Sequence, residues 1–196
     1  MSLVMAIKKD GVVYLGADTR STRGAFIESI KSEPEHKITR IGNVYVGSAG
    51  SVSNVQIMIS HPEWFNTQGK PLTKKFLVQN VVGKYYDELE RLDKLNDEGG
   101  SQNNREYPKS GGIFIVTDGD SVFLIDSDFE VVCVHSGVAI GCTKTIAIGY
   151  ILSSENEEPN DTILRAMRES SWRNKGVGAP YVLVNTRDNE FITVEE

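Results

Sequence analysis

The sequence predicts an α+β domain in which two antiparallel sheets stack face to face, each with a pair of helices outside it, a four-layer αββα sandwich. Short apolar or alternating runs between turn signals fill the first fifty residues and return at 112–134 and 180–194, the pattern of hairpin-linked strands. Helical periodicity is confined to two paired blocks, 51–95 and 143–172, whereas a parallel sheet needs a helix at almost every crossover. Stacking the sheets between the helix pairs buries every apolar face. The 196 residues suffice for one such domain with a real core, so 1–196 is read as a single unit.

The first strands are expected at 3–9, 12–17, 25–30, 37–41 and 43–48, divided by Asp10-Gly11, Arg23-Gly24 and Gly42-Asn43. At Ser51 the period changes. Val52, Val55, Met58 and Ile59 recur at three and four behind an N-cap at Ser51 or Ser53, until Pro62 ends the helix. A second helix is expected over 73–95, with Leu77, Val81, Val82, Tyr85, Leu89 and Leu92 on one face and charged residues from Asp87 to Lys94 on the other. Residues 96–110 are polar and glycine-bearing and read as a long exposed loop within the domain.

Strands follow at 112–117, 121–126 and 129–134, the first two joined by an Asp118-Gly119 hairpin signal. Helices are expected at 143–154 and 161–172. Asn160 or Asp161 would cap the second, which turns Ile163, Leu164 and Met167 inward. Strands at 180–186 and 190–194 close the chain around Asp188-Asn189. There is no internal repeat and no low-complexity tract.

Composition removes several function classes. With 39% hydrophobic and 24% charged residues and no apolar run near the ~20 residues of a membrane span, membrane insertion is not expected. Twenty-seven acidic residues against 21 basic ones leave a net charge of -6, which argues against a nucleic-acid partner. Cys133 and Cys142 are too few for a disulfide framework or a thiolate metal site, and His36, His61 and His135 show no ligand spacing. A reducing cytoplasm fits this cysteine usage. The first residues lack the basic and apolar regions of a signal peptide, which assigns them to the fold or its chemistry. Nucleophile elbow, P-loop, zinc-protease and dinucleotide fingerprints are all missing from the sequence.

The informative stretches are GVVYLGADTRST at 11–22, HKITRI at 36–41 and GSAGSVSNVQ at 47–56. In this order and spacing the chain resembles proteasome β-type N-terminal nucleophile hydrolases over nearly its whole length, bacterial ring peptidases coupled to ATPases among them. Its most specific pieces are residues 17–22, Lys37-Ile38 and Ala49-Gly50-Ser51.

The resemblance implies a nucleophile one strand upstream of Asp18, which falls at Ser2 behind Met1. Once Met1 is removed, the free α-amine of Ser2, with a reference pKa of about 7.7–8.0, would take the hydroxyl proton near neutral pH. Lys37 would be the fixed cation beside it, Asp18 the partner that orients Lys37, and the Gly50 N–H the oxyanion donor. The polar support departs from the family pattern. Cys142 or Thr143 stands where the family has a serine in a Gly-Ser-Gly turn, and Asn174 and Val177 replace an Asp and a Ser. Cys142 taken alone reads as a small buried hydrophobe.

The implied activity is hydrolysis of peptides or unfolded proteins inside a homo-oligomeric ring, with an ATPase unfoldase as a further partner. No cofactor is needed, since the amine is the base. A specificity pocket would lie among residues after Asp18 and near Gly47 and Val52. Trp64-Phe65 and the outer helix faces are the candidates for subunit contact. Two alternatives remain, a non-catalytic structural ring subunit and an amidase of the same superfamily acting on a small amide.

Overall fold

Strand β1 (Leu3–Lys9) is apolar on both faces because it lies between two cores. A computed structural model describes residues 2–23, 26–29, 37–95 and 108–195. Asp10 and Gly11, both at positive φ (51° and 71°), turn the chain from β1 into β2 (Val12–Asp18), the backbone a two-residue hairpin demands. These two strands centre a five-stranded sheet. β1 pairs outward with β10 (Gly137–Gly141), and β2 with β11 (Tyr181–Asn185), which is edged by β12 (Glu190–Val194).

The second five-stranded sheet runs β5 (Ile38–Ile41), β6 (Val44–Gly50), β7 (Gly112–Thr117), β8 (Val122–Ile125), β9 (Val131–Val134). β3 (Arg20–Arg23) and β4 (Phe26–Ser29) form a separate two-stranded ribbon. Every pairing is antiparallel, as the scarcity of helical crossovers requires.

Alternation along the strands divides the core into three layers of side chains. Val4, Ala6, Leu15, Tyr45, Ile115 and Val182 fill the space between the sheets. Leu3, Met5 and Leu183 point the other way, onto Ala147 of α4 (Lys144–Ser153) and Ile163 and Met167 of α5 (Pro159–Arg173). Beneath the second sheet, Val46, Phe114 and Val116 meet Met58 of α1 (Val52–Ile59) and Leu77, Val81, Tyr85 and Leu89 of the long helix. The layers are therefore helix, sheet, sheet, helix. Gly16 lets α5 lie directly on β2, since a Cβ there would overlap the Ile163 side chain.

Several expectations need correction. Six strands precede the first helix, and β10 was not anticipated. The long helix is α2 (Lys74–Leu77) and α3 (Gly83–Arg91) joined by a π-helical turn at Val78–Val82. It stops at Arg91, leaving Leu92 at the surface. Thr73 caps it by accepting the Phe76 N–H at 3.1 Å. Ser51 stands at the α1 N-cap, but its hydroxyl meets Ser53 Oγ instead of the backbone.

Helix α5 begins at Pro159 behind Glu158, ahead of the expected Asn160 or Asp161, because a proline suits the first helical position. Trp64 and Phe65 are buried under the second sheet, which removes them as subunit contacts. Of the expected loop at 96–110, residues 96–107 lie outside the described residues. Ser110 is buried, its carbonyl accepting Asn54 Nδ2 at 2.6 Å. No helix among the described residues is long and apolar enough to cross a membrane.

Candidate active site

Two strand registers bring the site together. Pairing of Val4 with Ala17 sets Asp18, the last residue of β2, beside the start of β1. Pairing of Leu3 with Gly141 sets the β10–α4 turn against Ser2. The Leu3 N–H donates to Asp18 Oδ1 at 2.7 Å, and the Ser2 carbonyl accepts the Cys142 N–H at 2.9 Å and its Sγ at 3.5 Å. Both ends of the Ser2–Leu3 peptide unit are thus held, while Ser2 itself, 9% exposed, keeps a window to solvent.

Asp18 is fully buried and collects four donors. Oδ1 accepts Lys37 Nζ at 2.7 Å beside the Leu3 N–H, and Oδ2 accepts the N–H groups of Arg20 at 3.2 Å and Gly178 at 3.4 Å. Lys37 also donates to the Arg20 carbonyl at 2.7 Å. Its own carbonyl takes the Ser48 N–H at 2.8 Å, which ties the lysine to β6 two residues before Gly50. Burial pushes the Asp18 carboxyl above its ordinary value, while the Lys37 charge and the N–H donors pull it back. Burial likewise pushes the Lys37 ammonium below the usual lysine range against the pull of Asp18. Desolvation of this nearly enclosed cation is the largest influence on it.

A pocket of about 320 Å³ is lined by Ser2, Gly50, Gly141 and Cys142, together with Ala49, Gly111, Ile113, Lys109, Ser127 and Lys144. Both outer glycines are required by close backbone approach. At Gly50, φ is 118° and a Cβ would run into the Gly111 carbonyl. At Gly141, φ is 107° and a Cβ would overlap the Ser2 carbonyl oxygen. Ser2 and Gly50 thus line one cleft, and Asp18, with Lys37 bonded to it, is tied to the backbone just after Ser2 through the Leu3 N–H.

The outer support is arranged otherwise than the sequence implied. Cys142 is exposed and lines the pocket, because its N–H and Sγ turn to Ser2 while α4 begins behind it. Thr143 is the buried N-cap residue of α4, and its hydroxyl has no hydrogen-bond partner among the described residues. Asn174 closes the turn after α5, its Oδ1 accepting the Gly176 N–H at 2.8 Å, and it does not reach the site's polar network. The pocket lies on the Gly50–Gly141 side. Gly47 cannot line it, because Val4 Cγ1 occupies the space where its Cβ would be, and Val52 is exposed outside it.

Arg20 was missed by sequence reasoning. Its guanidinium donates to the carbonyls of Lys175 at 3.0 Å and Val177 at 3.2 Å and occupies the space a Cβ at Gly178 would need. That clamp delivers the Gly178 N–H to Asp18. The available signal was the pairing of Asp18 and Arg20 in one turn with a glycine-rich segment, GVG at 176–178. Among the described residues no group of three His, Cys, Asp or Glu stands close enough to hold a metal ion.

No protein-family model and no curated protein matches the chain. Solved structures do. BPH from Thiobacillus denitrificans, in its complex with epoxomicin, superposes with a TM-score of 0.70 at 16% identity, over 99% of this chain and 100% of that one. Anbu from Hyphomicrobium sp. strain MC1, a Gly-1 mutant, gives 0.73 at 15% over 100% and 87%, and HslV from Trypanosoma brucei gives 0.66 at 16% over 93% and 98%. The chain has a proteasome-β-like, N-terminal-nucleophile fold. At such low identity the likeness carries the architecture alone.

Proposed function

We propose that the chain is a proteasome-like peptidase subunit whose nucleophile is Ser2, exposed by removal of Met1. The observation that carries this reading is the shared oxygen of Asp18, which bonds the Lys37 ammonium and the Leu3 N–H beside the pocket that Ser2 and Gly50 line. A buried cation fixed next to the chain's first residue lowers the pKa of an α-amine there, keeping it neutral and able to accept a proton.

The freed α-amine takes the Ser2 Oγ proton as Oγ bonds to the substrate carbonyl carbon. The carbonyl oxygen gains the negative charge, facing the Gly50 backbone, where loss of one such donor costs about 2.7–4 kcal/mol of transition-state stabilisation. The amine then protonates the leaving nitrogen as the C–N bond breaks, leaving an ester on Ser2. Water, deprotonated by the same amine, releases the acid and restores the hydroxyl. The substrates are peptides or unfolded protein, delivered to a cytoplasmic ring of copies with an ATPase unfoldase as partner. This chemistry calls for no cofactor.

The unpartnered Thr143 hydroxyl and the withdrawal of Asn174 into its own turn favour a second reading, a structural ring subunit without activity. Hydrolysis of fluorogenic peptides separates the two. Cleavage lost in both Ser2→Ala and Lys37→Ala supports the peptidase, and no cleavage from a protein that keeps Met1 supports the structural subunit.

A further inference from the structure

We infer that Ser110 and Asn54 are positioning residues that hold the Gly50 N–H toward the pocket in which the oxyanion forms. The inference rests on the peptidase reading and adds two residues to it. Successive N–H groups of a strand point to opposite edges. The Ser48 N–H donates to the Lys37 carbonyl at 2.8 Å, so the Gly50 N–H, two residues on, lies along the same edge of β6, turned from β7 toward the Lys37 side. The peptide unit after Gly50 is anchored in the other direction, its Ser51 N–H donating to the Gly111 carbonyl at 2.8 Å. That approach is so close that a Cβ on Gly50 would run into the same carbonyl oxygen.

The Gly111 carbonyl is fixed from behind. It belongs to the peptide unit that carries the Gly112 N–H, which donates to Ser110 Oγ at 3.2 Å while the hydroxyl donates to the Gly112 carbonyl at 2.7 Å. The Ser110 carbonyl accepts Asn54 Nδ2 at 2.6 Å, and the Asn54 carbonyl accepts the Tyr85 hydroxyl at 3.1 Å. Ser110, Asn54 and Tyr85 are 1%, 4% and 0% exposed, so losing one of these bonds leaves a buried group unsatisfied. Glycine backbone is conformationally permissive, and Gly50, Gly111 and Gly112 alone would leave the oxyanion donor loose. The hydroxyl of Ser110 and the amide of Asn54 supply the stiffness, carried from the helix layer through Gly111 to Gly50.

The test is made on the full-length protein with fluorogenic peptides. Ser110→Ala is expected to lower kcat about tenfold or more with KM unchanged, because the Gly50 N–H meets charge only in the transition state; outright loss of an oxyanion donor costs roughly 10²–10³-fold. Asn54→Ala frees the Ser110 carbonyl, leaves the hydroxyl in place, and should lower kcat several-fold in the same way. Val81→Ala opens a cavity in the helix layer that holds Tyr85 and should weaken folding while leaving kcat intact. A second readout needs no catalysis. Hydrogen exchange of the Ser51 amide, followed by mass spectrometry in peptides covering 49–53, should be several-fold faster in Ser110→Ala and in Asn54→Ala than in wild type, and Asn54→Ala carries both readouts where Ser110→Ala does not fold. An active enzyme whose variants keep wild-type kcat or lose only substrate affinity, or a Ser51 amide that exchanges no faster, overturns the positioning role. Faster exchange in a protein that cleaves none of the peptides upholds the tether on Gly50 and overturns the peptidase reading.

Discussion

Lys37 and Asp18 meet at 2.7 Å with side chains 10% and 0% exposed, and the carboxylate oxygen they share also holds the backbone immediately after Ser2. A change at either residue thus reaches the position of Ser2 as well as the local charge.

Removing one partner leaves the other charge buried and unmatched, which typically costs about 3–5 kcal/mol, whereas an apolar replacement of both partners is far milder. Asp18→Ala is therefore expected to lower stability by that amount in urea titrations. Asp18→Leu with Lys37→Met should recover most of the loss and show no peptidase activity. Equal destabilisation by the single and double variants would mean that Asp18 acts through the N–H groups of Leu3, Arg20 and Gly178 alone.

The pair also sets a pH dependence. Burial holds the folded Lys37 pKa below its ordinary 10.5, so between those two values the unfolded chain binds more protons than the folded one. Stability contributed by Lys37 then rises with pH across that interval and is constant below it. Wild type should gain on Lys37→Met as the pH is raised toward 10.5 in parallel denaturant titrations. Activity should fall over the same interval, because the ammonium beside Ser2 is lost. A difference between the two proteins that shrinks with rising pH would contradict the burial of a charged lysine.

Gly141→Ala is expected to abolish reactivity at Ser2. The new methyl group meets the Ser2 carbonyl oxygen at a φ of 107°, so the first residue of the fold must move. Gly11→Ala is the control. It has a φ of 71° and open space around it, and it should cost only the roughly 1–2 kcal/mol of left-handed strain and leave activity intact.

Packing of α5 on β2 can be tested at Gly16, where an added methyl overlaps the Ile163 side chain. Gly16→Ala should cost about 1–3 kcal/mol by overpacking, and Ile163→Ala, which removes the overlapped Cγ2, about 2–5 kcal/mol by leaving a cavity. Combined, they should be less destabilising than their sum, as read from thermal or urea unfolding. Strict additivity would place α5 elsewhere.

Local chemistry made most of the fold legible. β1 and β2 announce themselves through continuous apolar runs around Asp10-Gly11, and α1 through Val55 and Met58 ahead of Pro62. β10 was illegible because its sequence, GVAIG, begins and ends in glycines that weaken a strand signal. The reasons for those glycines are distant: Gly137 is crowded by Ile151, and Gly141 by Ser2. For the same reason Lys144, on the α4 side of the pocket, could not be placed, and Cys142 was singled out only through the family resemblance. Asp18 and Lys37, 19 positions apart, were found only through the family resemblance, since neither periodicity nor spacing links the end of one strand to the start of another. Arg20 escaped because its role is to hold two carbonyls 155 and 157 positions away.

The most direct test of the central claim is the intact mass of the untagged protein before and after incubation with epoxomicin, the compound found bound to the similar BPH. With Ser2 as the nucleophile, the chain lacks Met1 and gains one epoxomicin adduct, lost in Ser2→Ala and retained in Cys142→Ser. A chain that keeps Met1 and gains no adduct, or an adduct that persists in Ser2→Ala, would contradict it.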